Sequence, residues 1–110
     1  MNIRILPSAL ADLADGRGFY ERQGEGLGNY FVETLFSDID SLLLYAGIHR
    51  QVGKYLRLLS KRFPFAVYYR VHENTVEVWR VLDCRQDPSK VRKSLTEGTP
   101  SVKPPSSPPS

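Results

Sequence analysis

A chain of 110 residues has room for one domain and on folding hides roughly two-thirds of the surface its unfolded form exposes. Its composition, 41% hydrophobic and 25% charged, is that of a globular protein, and no apolar run approaches the roughly 20 residues that span a bilayer, which argues against a helical membrane protein. The net charge of +3 is unevenly placed: residues 1–49 carry Arg4, Arg17 and Arg22 against seven acids, and residues 50–110 carry twelve Lys and Arg against five. A polyanion or an acidic protein segment is therefore the partner class to expect.

In chain order, "NIRIL" alternates as a short first strand that Pro7 ends, leaving Ser8 as the expected N-cap of a helix. That helix places Leu10, Leu13, Ala14 and Tyr20 near one face, but Gly16 and Gly18 each cost about 1 kcal/mol relative to Ala in a helix interior, so it depends on packing. "GEGLG" breaks the chain. Leu27, Phe31, Leu35, Ile39, Leu42 and Ala46 then recur at helical spacing, the strongest helix signal present, with Gly47 suited to its C-terminal cap. So short a connection predicts an antiparallel helical hairpin.

From "KYLRLLS" the period changes to two, and "FAVYYRV" and "TVEVWRVL" follow as a hairpin turning at Glu73 and Asn74. The expected order is strand, helix, helix and three strands. It predicts a two-layer α+β domain with a helical hairpin covering one apolar face of a sheet. Strict alternation puts Val76, Val78, Arg80 and Leu82 on one sheet face, with Trp79 and Val81 on the other. Arg80 then interrupts an apolar row, which is costly unless it lies at an edge or in a wet cleft. Tyr68 and Tyr69 point to opposite faces, so one is core and the other is free to stack on a ligand.

The lone Cys84 cannot close an intramolecular disulfide, and no signal-peptide segment is evident, so a reducing cytoplasm is expected. No Cys and His set has metal-ligand spacing, and no cofactor is expected. Residues 98–110 hold five of the eight prolines and are expected to form a disordered or polyproline-like tail outside a domain of residues 1–97.

Assembled, "DLADGRGFYERQGEGLGNYF", "DIDSLL", "KYLRLLSKRFPFAVYYRV" and "VWRVLDCRQDP" resemble the RelE/ParE superfamily of bacterial type II toxin-antitoxin toxins, over about residues 2–93. The resemblance rests most on Arg57, Phe63, Pro64, Tyr68, Tyr69, Arg85, Asp87 and Pro88. It implies an α+β fold with the helical hairpin packed on a curved, mostly antiparallel sheet, and a toxin restrained by a cognate antitoxin whose acidic segment lies along the basic half. Two targets are implied: DNA gyrase for ParE-like members, and messenger RNA in the ribosome for RelE-like ones. A third possibility is a non-toxic module that keeps the fold and binds only its antitoxin.

Metal-free RNA cleavage needs a base, cationic donors for the phosphate and an acid. Donors are plentiful, and Arg57, Lys61, Arg80 and Arg85 are the catalytic candidates if the chain is RelE-like. The Tyr or His that RelE-like enzymes place after the last-strand arginine is replaced here by Gln86, Asp87 and Pro88, and neither His49 nor His72 stands in a compelling place. A gyrase poison needs no base, only a binding surface, for which Arg57, Arg62, Tyr69, Arg80, Arg85 and Asp87 are the candidates. Arg57 and Arg85 have a structural alternative, pairing with Asp83, Asp87 or helix carboxylates.

Overall fold

The computed structural model describes residues 1–97. The expected tail lies outside them. Strand β1 (Asn2–Ile5) leads into helix α1 (Pro7–Gln23), which a short turn joins to α2 (Leu27–Asp40). A single turn, α3 (Leu42–Tyr45), precedes strands β2 (Arg50–Val52), β3 (Tyr55–Leu59), β4 (Phe65–His72) and β5 (Thr75–Asp83), and α4 (Pro88–Glu97) follows. The strands form one sheet in the order β1-β5-β4-β3-β2. Only β1 pairs in parallel, with Asn2 opposite Thr75 and Ile5 opposite Val78; β2 to β5 form an antiparallel meander.

The helical hairpin covers one sheet face. Ala9 and Leu13 of α1, with Phe31, Leu35, Ile39 and Leu42 of α2 and α3, pack on Val67, Tyr69, Val76, Val78 and Val81. Leu10 and Ala14, expected on the buried stripe of α1, point outward; the stripe runs through Ala9, Leu13 and Gly16. Gly16 is buried because a Cβ there would stand 2.5 Å from the Phe31 ring, so its missing side chain is what lets the two helices close.

Besides helix α4, which the sequence reading did not contain, four features depart from it. Ser8 is not the N-cap: the helix begins at Pro7 after an extended Leu6, with proline's fixed φ at the first turn, and the Ser8 hydroxyl donates to the Trp79 carbonyl at 2.7 Å. The expected long second helix breaks at Ser41, whose hydroxyl donates back to the Asp38 carbonyl at 2.6 Å. A fifth strand, β2, precedes the meander through a turn with Gly53 at φ 61°. The fourth departure is a bulge in β5. Tyr68 pairs with Arg80 while Tyr69 pairs with Val78, so Trp79 is the extra residue.

That bulge reverses the alternation. Val81 joins Val76 and Val78 on the helix side, and Trp79 and Leu82 share the other face with Tyr55, Ala66 and Tyr68. Helix α4 covers part of this second face through Leu95 and Val91.

Candidate functional site: a cationic sheet face

Register aligns Arg50, Arg57, Tyr68 and Arg80 as successive cross-strand partners on the face opposite the helical hairpin. These positions differ in what holds them. The Arg80 guanidinium is spent internally: it contacts both oxygens of Asp12 and donates to the Ser94 carbonyl at 2.7 Å. It lies where β1 has ended and α1 runs beside the upper half of β5, so the charge that strict alternation placed in an apolar row sits at the sheet margin with a carboxylate.

Arg57 is held differently. Its Nε is buried with no acceptor among the described residues, while its guanidinium stands against the Tyr68 hydroxyl. Burial pushes the Tyr68 phenol above its ordinary pKa, and the hydrogen bond and charge of Arg57 hold part of that rise back. Trp79 Nε1 on the same face is also buried and unpartnered, and Arg70 lies 5.3 Å over the Trp79 ring. Both N–H groups are buried, so what this face offers a ligand is the accessible part of Arg50 and Arg57 and not these two donors.

The other sequence-predicted residues are scattered. Arg85 is exposed and grips Asp83 through Nε and Nη2, at 3.0 and 2.7 Å, which holds the Asp83 carboxyl below its usual range. Arg62 donates to the Tyr30 hydroxyl at 2.8 Å, tying the β3–β4 connection to α2. Lys61 lies exposed beside it. Asp87 starts α4: its carboxylate accepts from the Ser89 amide and hydroxyl, both at 2.8 Å. Tyr69 is fully buried on the helix side, with its oxygen accepting from the Gly47 amide at 2.9 Å and 2.6 Å from His49 Nδ1, so a partner cannot reach it. Of the set, Arg57 and the exposed Arg62, Lys61 and Arg85 remain available as binding groups.

Two residues that sequence reasoning passed over shape this face. Arg50 pairs with Arg57 across β2, a strand too short to show a period. Arg92 reaches it from α4, whose start was signalled by Asp87 followed by Pro88, an N-cap residue before a proline at the first helical position.

Chemically the face sets Arg57 against the Tyr68 hydroxyl, whose pKa is raised by burial, and ties the Asp12 and Asp83 carboxylates to Arg80 and Arg85. His72 is exposed at the end of β4, where the β4–β5 turn begins, and His49 is engaged with Tyr69 on the opposite side. The Cys84 thiol is pushed up by burial, with Asp83 adding to the rise, the reverse of an activated thiolate. Among the described residues no group of three His, Cys, Asp or Glu is placed to hold a metal ion, and no helix is long and apolar enough to cross a membrane.

Comparison with known proteins supplies the family. The family model described as the ParE toxin of the type II toxin-antitoxin system parDE matches residues 3–88. The chain belongs to the ParE toxin family. A solved structure of the chromosomal ParDE TA system from P. aeruginosa has the same fold, with a TM-score of 0.68 and 23% identity over 74% of this chain and 92% of that one. No curated protein matches. The ParE match covers the first four strands, β5 and the helical hairpin and ends at Pro88, so Arg57, Tyr68, Trp79 and Arg85 lie within it and α4 lies almost wholly beyond.

Proposed function

We propose that this ParE-family chain inhibits growth by binding and poisoning DNA gyrase in the cytoplasm, and that a cognate antitoxin neutralises it. The observation that carries the reading is the Arg57 neighbourhood: phosphate-type donors beside a phenol that holds its proton more tightly than usual, with the Asp12 and Asp83 carboxylates already paired to arginines, chemistry suited to binding an anion. The working unit is placed within residues 1–97.

The test is to add purified protein, as wild type, Arg57→Ala and Arg85→Ala, to gyrase and relaxed plasmid. Lost supercoiling with cleaved DNA trapped by the wild type, and weaker trapping by Arg57→Ala, is the expected result. Unimpaired supercoiling with folded protein, together with codon-positioned cuts in messenger RNA from cells expressing it, sinks the proposal and makes the chain a ribosome-dependent endoribonuclease. Neither effect leaves an antitoxin-binding module.

A further inference from the structure

Between the β2–β3 turn and the flank of α4 lies a hollow of about 330 Å³ that none of the residues assigned above occupies. Its walls are apolar, formed by Val52, Tyr55 and Leu95. Tyr55 and Leu95 are buried members of the outer-face cluster, and the Tyr55 ring lies 5.5 Å from Trp79, so the floor is part of the packed sheet and not a loop. Lys54 on the turn and Arg92 on the helix form the two lips.

The charge around it is mainly positive, Glu97 at the end of α4 being the one acid in the two flanking segments. Residues 50–54 contain Arg50 and Lys54 and no acid, and α4 adds Lys90 and Lys93 to Arg92. A second apolar surface, Leu43, Leu44 and Ile48 around α3, is more exposed but carries no charge pattern that selects a ligand. At the hollow the pattern does select. An uncharged apolar ligand would fill the walls and ignore the lips, and a plain polyanion would neutralise the lips and leave the walls wet. An extended peptide uses both, because alternate side chains point to opposite sides and carboxylates near one buried side chain can reach both lips.

We propose that this hollow anchors an acidic segment of a partner protein through a single aromatic or aliphatic side chain, with Lys54 and Arg92 taking the flanking carboxylates. The inference rests on the reading of a toxin neutralised by an antitoxin, whose acidic segment is the occupant. It places the anchor at the end of the sheet, beside and not upon Arg57.

The probes are three short fluorescent peptides: one of Glu and Asp with a central Phe, one with Ser in place of that Phe, and one with Gln and Asn replacing the acids around Phe. Anisotropy with the full chain is expected to show the first binding about tenfold tighter than either other, the effect of one desolvated anchor or of its flanking charges. The double variant Lys54→Glu/Arg92→Glu, checked for an unchanged melting curve, is expected to lose that preference. Equal binding of all three peptides, a preference that survives the double variant, or no binding overturns the proposal. Binding that appears only after removal of residues 98–110 also overturns it, and makes that segment the occupant. Growth arrest on expression is scored in parallel. Its absence sinks the toxin reading whatever the peptides do, while arrest without peptide binding sinks only the anchor.

Discussion

The Arg80 guanidinium forks onto the Asp12 carboxylate, Nε to Oδ2 at 2.7 Å and Nη2 to Oδ1 at 2.8 Å, joining β5 to α1 across 68 residues of sequence. Asp12 Oδ2 also accepts the Val81 amide at 2.9 Å, and Arg80 Nη1 reaches the Ser94 carbonyl of α4. One ion pair thus pins two helices to the bulged strand, and with side-chain exposures of 16% and 10% it is largely screened from water. Removing one partner leaves the other charge buried. Arg80→Met is expected to destabilise by about 3 kcal/mol in urea unfolding. Asp12→Asn/Arg80→Met should lose less than the two single changes added, by about 1 kcal/mol or more. Additive losses would mean that the pair is not a unit.

The two glycines of α1 should respond in opposite directions to alanine. At Gly16 the new methyl meets two Phe31 ring atoms at 2.5 Å, and Tyr20, Phe63 and Phe65 hold that ring from other sides at centroid distances of 4.9 to 5.1 Å. Overpacking of about 1–3 kcal/mol outweighs most or all of the helix-propensity gain of about 1 kcal/mol, so Gly16→Ala lowers the urea midpoint. At Gly18 the nearest atom is the mobile end of Arg22 at 3.5 Å. Gly18→Ala is expected to raise the midpoint by the equivalent of about 0.5–1 kcal/mol.

Gly16 also marks how far the sequence could be read. Periodicity found both helices of the hairpin, β1, β3 and β5 from repeating buried and exposed positions, and β4 from a continuous apolar run between turn signals, since its first five residues are buried on both faces. It could not find the bulge at Trp79, where one extra residue shifts Val81 to the opposite face from the one alternation assigns, and so it misplaced Val81 and left Arg80 unexplained. Its partner Asp12 lies in another element, and nothing local announces a pair 68 residues apart. Helix α4 is a different failure: Asp87 and Pro88 were in plain view, but the apolar content of α4 is too small to show a stripe. Tyr68 and Tyr69 were correctly split between faces, yet only the structure shows that Tyr69 is the inner one, held by Gly47.

Arg57 should separate binding from folding. Among the described residues its Nε has no acceptor, so the fold gains little from that donor, and its neighbour Tyr68 is packed by its ring. Arg57→Ala is expected to abolish growth inhibition while costing about 1 kcal/mol or less, an ordinary value for a site without a satisfied network. Tyr68→Phe, which keeps the ring and removes the hydroxyl, should stay folded and toxic. Loss of toxicity in Arg57→Ala accompanied by a fall in stability as large as that of Arg80→Met would make Arg57 a structural residue.

His49 gives the fold a dependence on pH whose sign follows from geometry. The Tyr69 oxygen accepts from the Gly47 amide at 2.9 Å and lies 2.6 Å from His49 Nδ1, to which the phenol donates its proton when the ring is neutral. That bond needs the neutral imidazole with its proton on Nε2. Burial moves His49 below its ordinary pKa, in agreement with a neutral ring in the folded state. Below about pH 6.5 the unfolded chain takes up a proton that the folded one resists, so this contribution is complete above that pH and is lost as pH falls toward the depressed folded value. The phenol–imidazole bond is worth about 1 kcal/mol. Wild type is expected to lose roughly that much between about pH 7.5 and pH 5.5, where most carboxylates remain ionised, while His49→Gln and Tyr69→Phe start lower and change less. Denaturant midpoints across that window decide it: a wild-type profile as flat as that of His49→Gln would mean that His49 is not neutral in the fold.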